Sequence, residues 1–295
     1  MDKKRIVLII PYRGIGDLIF HIPLIRGLFK SYNSKIDILT NSVNKAKFLL
    51  RNEKYVKNIC YLSFARENQI KNSYNFLRKI NTFNSDLAIL TAPSKRLIIP
   101  LLLSNSKKKI YFKKNKIKDL SKYIISQSKK ELSNIKIDKN YTLSTSKPYI
   151  KNKNIFFSID SRHDSNNWDK NNFLKLIKKI KIIKSFHKIY INFDPSKITN
   201  FSEIIKEFKN CKKIVFTHSV NFQKLINLIN SCKYIIGNES GPICIGASLN
   251  KKVFSIYYPK HTHKSSKTIN KNVKFFNSNI IKSDKIISDI IKSLN

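Results

Sequence analysis

The stretch Tyr234 to Pro259, YIIGNESGPICIGASLNKKVFSIYYP, decides how the rest of the chain is read. It begins with a short apolar run that stops at Gly237. It closes with a second run, Val253 to Tyr257, rich in β-branched and aromatic residues and ended by Pro259. Short runs bounded by glycine or proline read as buried strands. Between them Ile243, Ile245, Ala247 and Leu249 stand among small residues, which predicts a short helix able to lie close against a sheet. Where that helix begins, Ser240 is a candidate N-cap. Gly241 lets the backbone come near a ligand, and Pro242 suits the first turn, where its missing N–H is no loss. A helix N-terminus framed by small residues suits an anion, because unpaired N–H groups and the helix dipole both favour negative charge. The same pattern also describes an ordinary strand-to-helix connection in an α/β protein.

Strand, helix, strand is the unit of a parallel sheet, and the alternation runs through the chain. Ile6 to Ile10 is an uninterrupted apolar strand, followed by the turn Pro11-Tyr12-Arg13-Gly14-Ile15-Gly16-Asp17 and then by Leu18, Ile19, Ile22, Ile25, Leu28 and Phe29 at helical spacing. This is the opening of a doubly wound domain, whose ligands bind beyond the carboxyl ends of the strands. The third glycine of a dinucleotide fingerprint is missing, Ile19 standing in its place. Pro23 predicts a break or a short first turn in the helix. Asp17 reads as a helix cap, and His21, four residues on, as a packed histidine on the same face.

Further strands are expected at 36–40, 59–62, 87–91 and 109–112, alternating with helices near 44–50, 69–80 and 94–102. Tyr141 to Asn154 has the polar, proline-bearing look of a linker, and the pattern restarts with the strand Ile155 to Ile159. We therefore expect two domains, 1–147 and 148–295. In the second, strands at 187–193 and 213–217 and helices at 173–183, 201–208 and 222–230 lead back to the opening stretch. A last helix near 284–294 carries Ile286, Ile287, Ile290 and Ile291 on one face.

The charge is extreme, 58 Lys and Arg against 18 Asp and Glu, for a formal +40. It points to a polyanionic partner such as nucleic acid, anionic lipid or phosphorylated glycan, although the lysines are spread over most segments instead of forming one arm. No RNA-binding signature is visible, which disfavours nucleic acid. The basic stretch Lys107 to Lys130, with Tyr111, Phe112 and Tyr123 interleaved, could rest on an anionic membrane surface or serve as a solvated helix face. Cys60, Cys211, Cys232 and Cys244 show no metal-type spacing and suit a reducing compartment. With no long apolar segment and no leader, a cytoplasmic protein is expected, peripheral at most on the inner face of the membrane.

Two stretches resemble glycosyltransferase family 9, the ADP-heptose:lipopolysaccharide heptosyltransferases. One is Gly14, Gly16, Asp17 and Pro23, with Tyr32, Ile36 to Leu39 and Val56 to Ile59 following in order. The other is Asn238-Glu239-Ser240-Gly241-Pro242 and the apolar helix after it. Glu239 stands where the family has Asp, and Cys244 where it has His. In the second domain Ser161, Trp168 and Asp169 fall at family positions, while Asn166 occupies a usually basic one, for which Arg162 or Lys170 could substitute.

The resemblance implies a GT-B fold: two Rossmann-like doubly wound domains facing a cleft, with the last helix crossing back to the first domain. It implies an inverting glycosyltransferase that needs no metal or other cofactor, with Asp17 as general base and Gly14 and Gly16 in an acceptor loop. Ser161, Arg162, Asn238, Glu239, Ser240, Gly241 and Cys244 would bind the nucleotide-sugar donor, expected to be ADP-linked. The acceptor would be an anionic glycolipid of the lipopolysaccharide-core type. The departures at Glu239, Cys244 and Asn166 leave a second reading, a homologue that binds nucleotide sugar with impaired transfer. A third reading is a basic nucleic-acid-binding protein. Trp168, the single Trp, reads as a packed anchor for the helix after it.

Overall fold

A computed structural model describes residues 4–64, 68–145, 153–161, 167–257 and 265–294. The chain divides into two units, Met1–Ser144 and Thr145–Asn295.

In the first unit five parallel strands are ordered β3-β2-β1-β4-β5: β1 Ile6–Ile10, β2 Ile36–Thr40, β3 Val56–Tyr61, β4 Leu87–Leu90 and β5 Lys108–Tyr111. Every residue of β1, β2 and β4 is buried; β1 and β4 are apolar throughout, as cover on both faces requires, and Asp37 of β2 accepts from the Asn58 side-chain amide at 2.8 Å. The first helical pattern is indeed broken: α1 is only Ile15–Ile19, and α2, Ile22–Tyr32, restarts with Pro23 in its first turn. The helices α3 Ala46–Leu49, α4 Gln69–Asn81, α5 Lys95–Leu103 and α6 Leu120–Glu131 complete the crossovers.

Two sequence expectations need correcting here. Phe112 and Tyr123 of the basic stretch are core residues, not exposed aromatics: Phe112 is fully buried and meets the buried Tyr123 edge to face at 6.2 Å, while Tyr111 is half-buried. The beginning of the expected linker is also packed. Tyr141 and Leu143 are buried, the Tyr141 and Ser121 hydroxyls lie 2.5 Å apart, and the Ser144 N–H donates to Glu53 Oε1 at 2.8 Å. A polar composition hid two apolar anchors and a buried carboxylate that needed donors.

The second unit carries six parallel strands in the order β11-β10-β9-β6-β7-β8: β6 Ile155–Ser158, β7 Ile189–Asn192, β8 Ile214–Phe216, β9 Tyr234–Asn238, β10 Lys252–Tyr257 and β11 Lys274–Asn277. Its helices are α7 Lys170–Lys181, α8 Ser202–Phe208, α9 Phe222–Ser231, α10 Gly241–Ser248, α11 Ser265–Ile269 and α12 Ser283–Leu294. The closing helix α12, expected to reach back to the first domain, buries Ile286, Ile287, Ile290 and Leu294 in the core of the second unit, beside α7. Gly246 lets α10 lie on β9, since a Cβ there would stand 2.9 Å from an Ile235 side-chain carbon.

Candidate functional site

In a doubly wound sheet the connections leave in opposite directions at one place, and the strand ends open a crevice there. In the first unit that place is between β1 and β4, and the loop after β1 carries Asp17. Its carboxylate turns back to accept the Gly14 N–H at 3.1 Å. Asp17 is therefore not the N-cap that the sequence suggested; it sits in the first turn, and Gly14 holds the cap position. A Cβ on Gly14 would lie 2.5 Å from Asp17 Oδ2, so the glycine is what lets the carboxylate rest where it does.

The loop is braced on both sides by buried polar side chains. His21 is fully buried, with Nδ1 2.7 Å from the Asp17 carbonyl oxygen and Nε2 2.9 Å from Thr91 Oγ1 at the end of β4. A carbonyl can only accept, so Nδ1 carries the proton. Burial lowers the His21 pKa to about 4, leaving the ring neutral at ordinary pH. The Thr91 hydroxyl lies within reach of both Nε2 and the Ile9 carbonyl, 3.1 Å away. On the β2 side, Asn44 donates to the Tyr12 carbonyl at 3.1 Å and to Thr40 Oγ1 at 2.6 Å, and Thr40 donates to the Ile10 carbonyl. Tyr12 donates to the Thr91 carbonyl at 3.2 Å. Burial first, then the nearby Tyr123 and Asp17, push its phenol pKa up, so it remains a neutral donor. A cavity of about 340 Å³ opens beside these strand ends, lined by Pro11, Tyr12, Phe64, Ala92, Ser94 and Arg96 among others.

The second unit reverses direction between β6 and β9, and the helix α10 starts there. Ser240 holds the N-cap position but makes no side-chain cap; its hydroxyl lies 3.0 Å from that of Ser158 at the end of β6. The capping role read from the sequence is thus corrected, because a second hydroxyl across the strands competes for it. Ser240 contributes its carbonyl to the Cys244 N–H at 3.0 Å. The close pairing depends on Gly237, whose Cβ, if present, would fall 2.0 Å from the Ser158 carbonyl oxygen.

The other expected donor residues have internal partners. Asn238 is fully buried, accepting the Trp168 N–H at 2.8 Å and donating to the Ile159 carbonyl at 2.9 Å. Glu239 accepts from the hydroxyls of Ser255 and Ser266 and from the Ser266 N–H at 2.7 Å, tying β9 to α11. Burial nevertheless pushes its pKa up, against these donors. Cys244 is buried in α10. Ser161 is buried, its carbonyl accepting from Lys197 Nζ at 3.0 Å. Gly16 lies in α1, and Gly241 opens α10. Arg162 and Asn166 lie outside the described residues. Trp168 is the anchor expected of it: its indole donates to Ser283 at 3.1 Å and meets Phe173 edge to face at 4.9 Å.

Sequence reasoning missed Asp160 and Lys197. Asp160 accepts from Lys197 Nζ at 3.0 Å and from the Asp194 N–H at 3.3 Å, both side chains being largely buried. Asp194, in the turn after β7, caps that turn through Ser196, and Lys197, three positions on, faces Asp160. Lys170, considered as a substitute cation, pairs with Glu203 at 3.3 Å. Lys170 and Lys197 line a cavity of about 240 Å³ together with Asn167, Trp168 and Phe201. Among the described residues no group of three or more His, Cys, Asp or Glu could hold a metal ion.

The family model "Glycosyltransferase family 9 (heptosyltransferase)" matches residues 112–289. No curated protein matches the sequence. Among solved structures, a glycosyl transferase family 9 protein from Veillonella parvula is similar with a TM-score of 0.80 at 14% identity, over 99% of this chain and 97% of that one. The E. coli ADP-heptose LPS heptosyltransferase II gives 0.76 at 14% identity, over 98% of each. E. coli heptosyltransferase WaaC with ADP-2-deoxy-2-fluoro heptose gives 0.71 at 12% identity, over 98% of this chain and 99% of that one.

Proposed function

The chain belongs to glycosyltransferase family 9 and is a glycosyltransferase of GT-B type, and on that premise we propose that it transfers a heptose or similar sugar, with inversion and without a metal. The donor is a nucleotide sugar, ADP-linked, and the acceptor an anionic glycolipid of the lipopolysaccharide-core type presented at the inner face of the cytoplasmic membrane. The observation that carries this reading is the carboxylate of Asp17, held by the Gly14 N–H on a loop braced by buried side chains. In direct displacement the acceptor oxygen bonds to the anomeric carbon as its proton passes to Asp17, and the nucleoside diphosphate departs from the opposite face of that carbon. The developing negative charge is taken up by the N–H groups at the start of α10.

A second reading, a homologue that binds the nucleotide sugar with impaired transfer, is favoured by Cys244. A buried thiol supplies neither the charge nor the hydrogen bonds of the imidazole common in the family. Calorimetry with ADP, GDP, UDP and CDP tests the binding step that both readings share. ADP is expected to bind tightest, and no binding of any of the four at millimolar concentration removes the donor site.

A further inference from the structure

A helix that covers a parallel sheet ordinarily presents one apolar face to the sheet and a polar face to water. Helix α5, KRLIIPLLL, breaks this rule. Leu97, Pro100 and Leu101 point inward and are buried, but Ile99, Leu102 and Leu103 are 60%, 50% and 69% exposed. Residues three and four apart lie on one face, so these three form a continuous stripe and not scattered surface apolars. The neighbouring α4 adds the exposed Tyr74 and Ile70.

The two helices are joined where the sequence would weaken them. Pro100 has no N–H to give to the Arg96 carbonyl four residues back, and Ser73 of α4 donates its hydroxyl to that carbonyl at 3.4 Å. The surface is therefore one packed pair of helices.

Its rim is basic. Between residues 68 and 118 the sequence has twelve Lys and Arg and one acidic residue, Asp86, already bridged to Lys107 at 2.8 Å. Lys95 and Arg96 stand at the start of α5, and Lys107 and Lys108 follow its end; Lys71 and Arg78 are exposed on α4. A second copy of the chain docked face to face would set these like charges against each other. A bilayer carrying anionic headgroups matches both features, taking the apolar stripe into its interface and the lysines at its surface.

We propose that the α4–α5 face of the first unit docks on an anionic membrane, with Ile99, Leu102 and Leu103 entering the headgroup region. This inference does not depend on the transfer chemistry. The test is flotation of the full chain with vesicles of phosphatidylcholine alone or with about a third phosphatidylglycerol. The triple variant Ile99→Ser/Leu102→Ser/Leu103→Ser keeps every charge and removes only the stripe. As a control, Ile182→Ser/Ile280→Ser removes two residues of the second unit that are just as exposed. The parent and the control are expected to bind the anionic vesicles alike, and the triple variant to partition ~10-fold or more weakly. The proposal is overturned if the triple variant binds like the parent, which would leave charge alone as the cause. It is also overturned if the parent ignores anionic vesicles, or if light scattering finds a dimer that the triple variant dissolves.

Discussion

The loops that follow β1 and β9 occupy equivalent places in their sheets, each at the point where the strand order reverses, yet they present opposite chemistry. After β1 the chain offers a carboxylate, and the groups holding the loop are neutral: the buried His21, Thr91 and Asn44 and the half-buried Tyr12. After β9 it offers the amino end of α10, kept close to β6 by a glycine and a pair of serine hydroxyls. The first suits a proton to be taken and the second an anion to be held. On the proposed reading one topology would serve both halves of a transfer reaction, and the difference lies in which backbone or side-chain groups each loop presents.

The largest expected effect breaks the second loop. In Gly237→Ala the new Cβ would meet the Ser158 carbonyl at 2.0 Å, so β9 must part from β6. We expect a loss of about 4 kcal/mol of stability and loss of nucleoside diphosphate binding. A variant with parent-like urea midpoint and ADP affinity would show that this close approach is not needed.

The next concerns the brace of the first loop and is read from pH. The His21 pKa falls from 6.5 to about 4 in the folded chain because the ring is buried. The unfolded chain therefore binds a proton that the folded chain refuses between those values. Stability is complete above the unfolded pKa and declines as pH falls from 6.5 toward 4, by up to about 3 kcal/mol. Urea midpoints measured across that range should fall more steeply for the parent than for His21→Asn, which cannot titrate there. Parallel profiles would remove His21 from the acid sensitivity of the fold.

The smallest change in structure sharpens the comparison most. Asp17→Asn keeps an oxygen to accept the Gly14 N–H, so stability should shift by no more than a few tenths of a kcal/mol. ADP binding at the other loop should be unchanged. Sugar transfer, assayed with a competent donor and acceptor, should slow ~100-fold or more, the scale of losing a positioned base. Undiminished transfer would leave Asp17 a purely structural role.

Much of this was legible in the sequence. Ile6 to Ile10 and the broken helix around Pro23 were read correctly, because a buried parallel strand is apolar throughout and proline constrains the backbone locally. The strand β11 was not read. It is four residues at a sheet edge, with only Phe275 and Phe276 to mark it, too short for a period to emerge. The packing of Tyr141 was equally hidden, since its partners Ser121 and Phe20 are far away in the chain.

At the candidate site the division follows the range of the interaction. The sequence by itself determined the parallel α/β plan, the positions of the two loops and the residue types they carry, all matters of local pattern and short spacing. Only the tertiary structure decided which of those side chains turn toward partners. Asn238 is used to hold Trp168, Glu239 to hold α11, and Ser240 to meet Ser158, while Asp160 draws in a lysine that no motif marked. Each partnership joins residues between 27 and 82 positions apart. A buried polar group takes whatever donor or acceptor the fold brings to it, and that choice is not written in its neighbours.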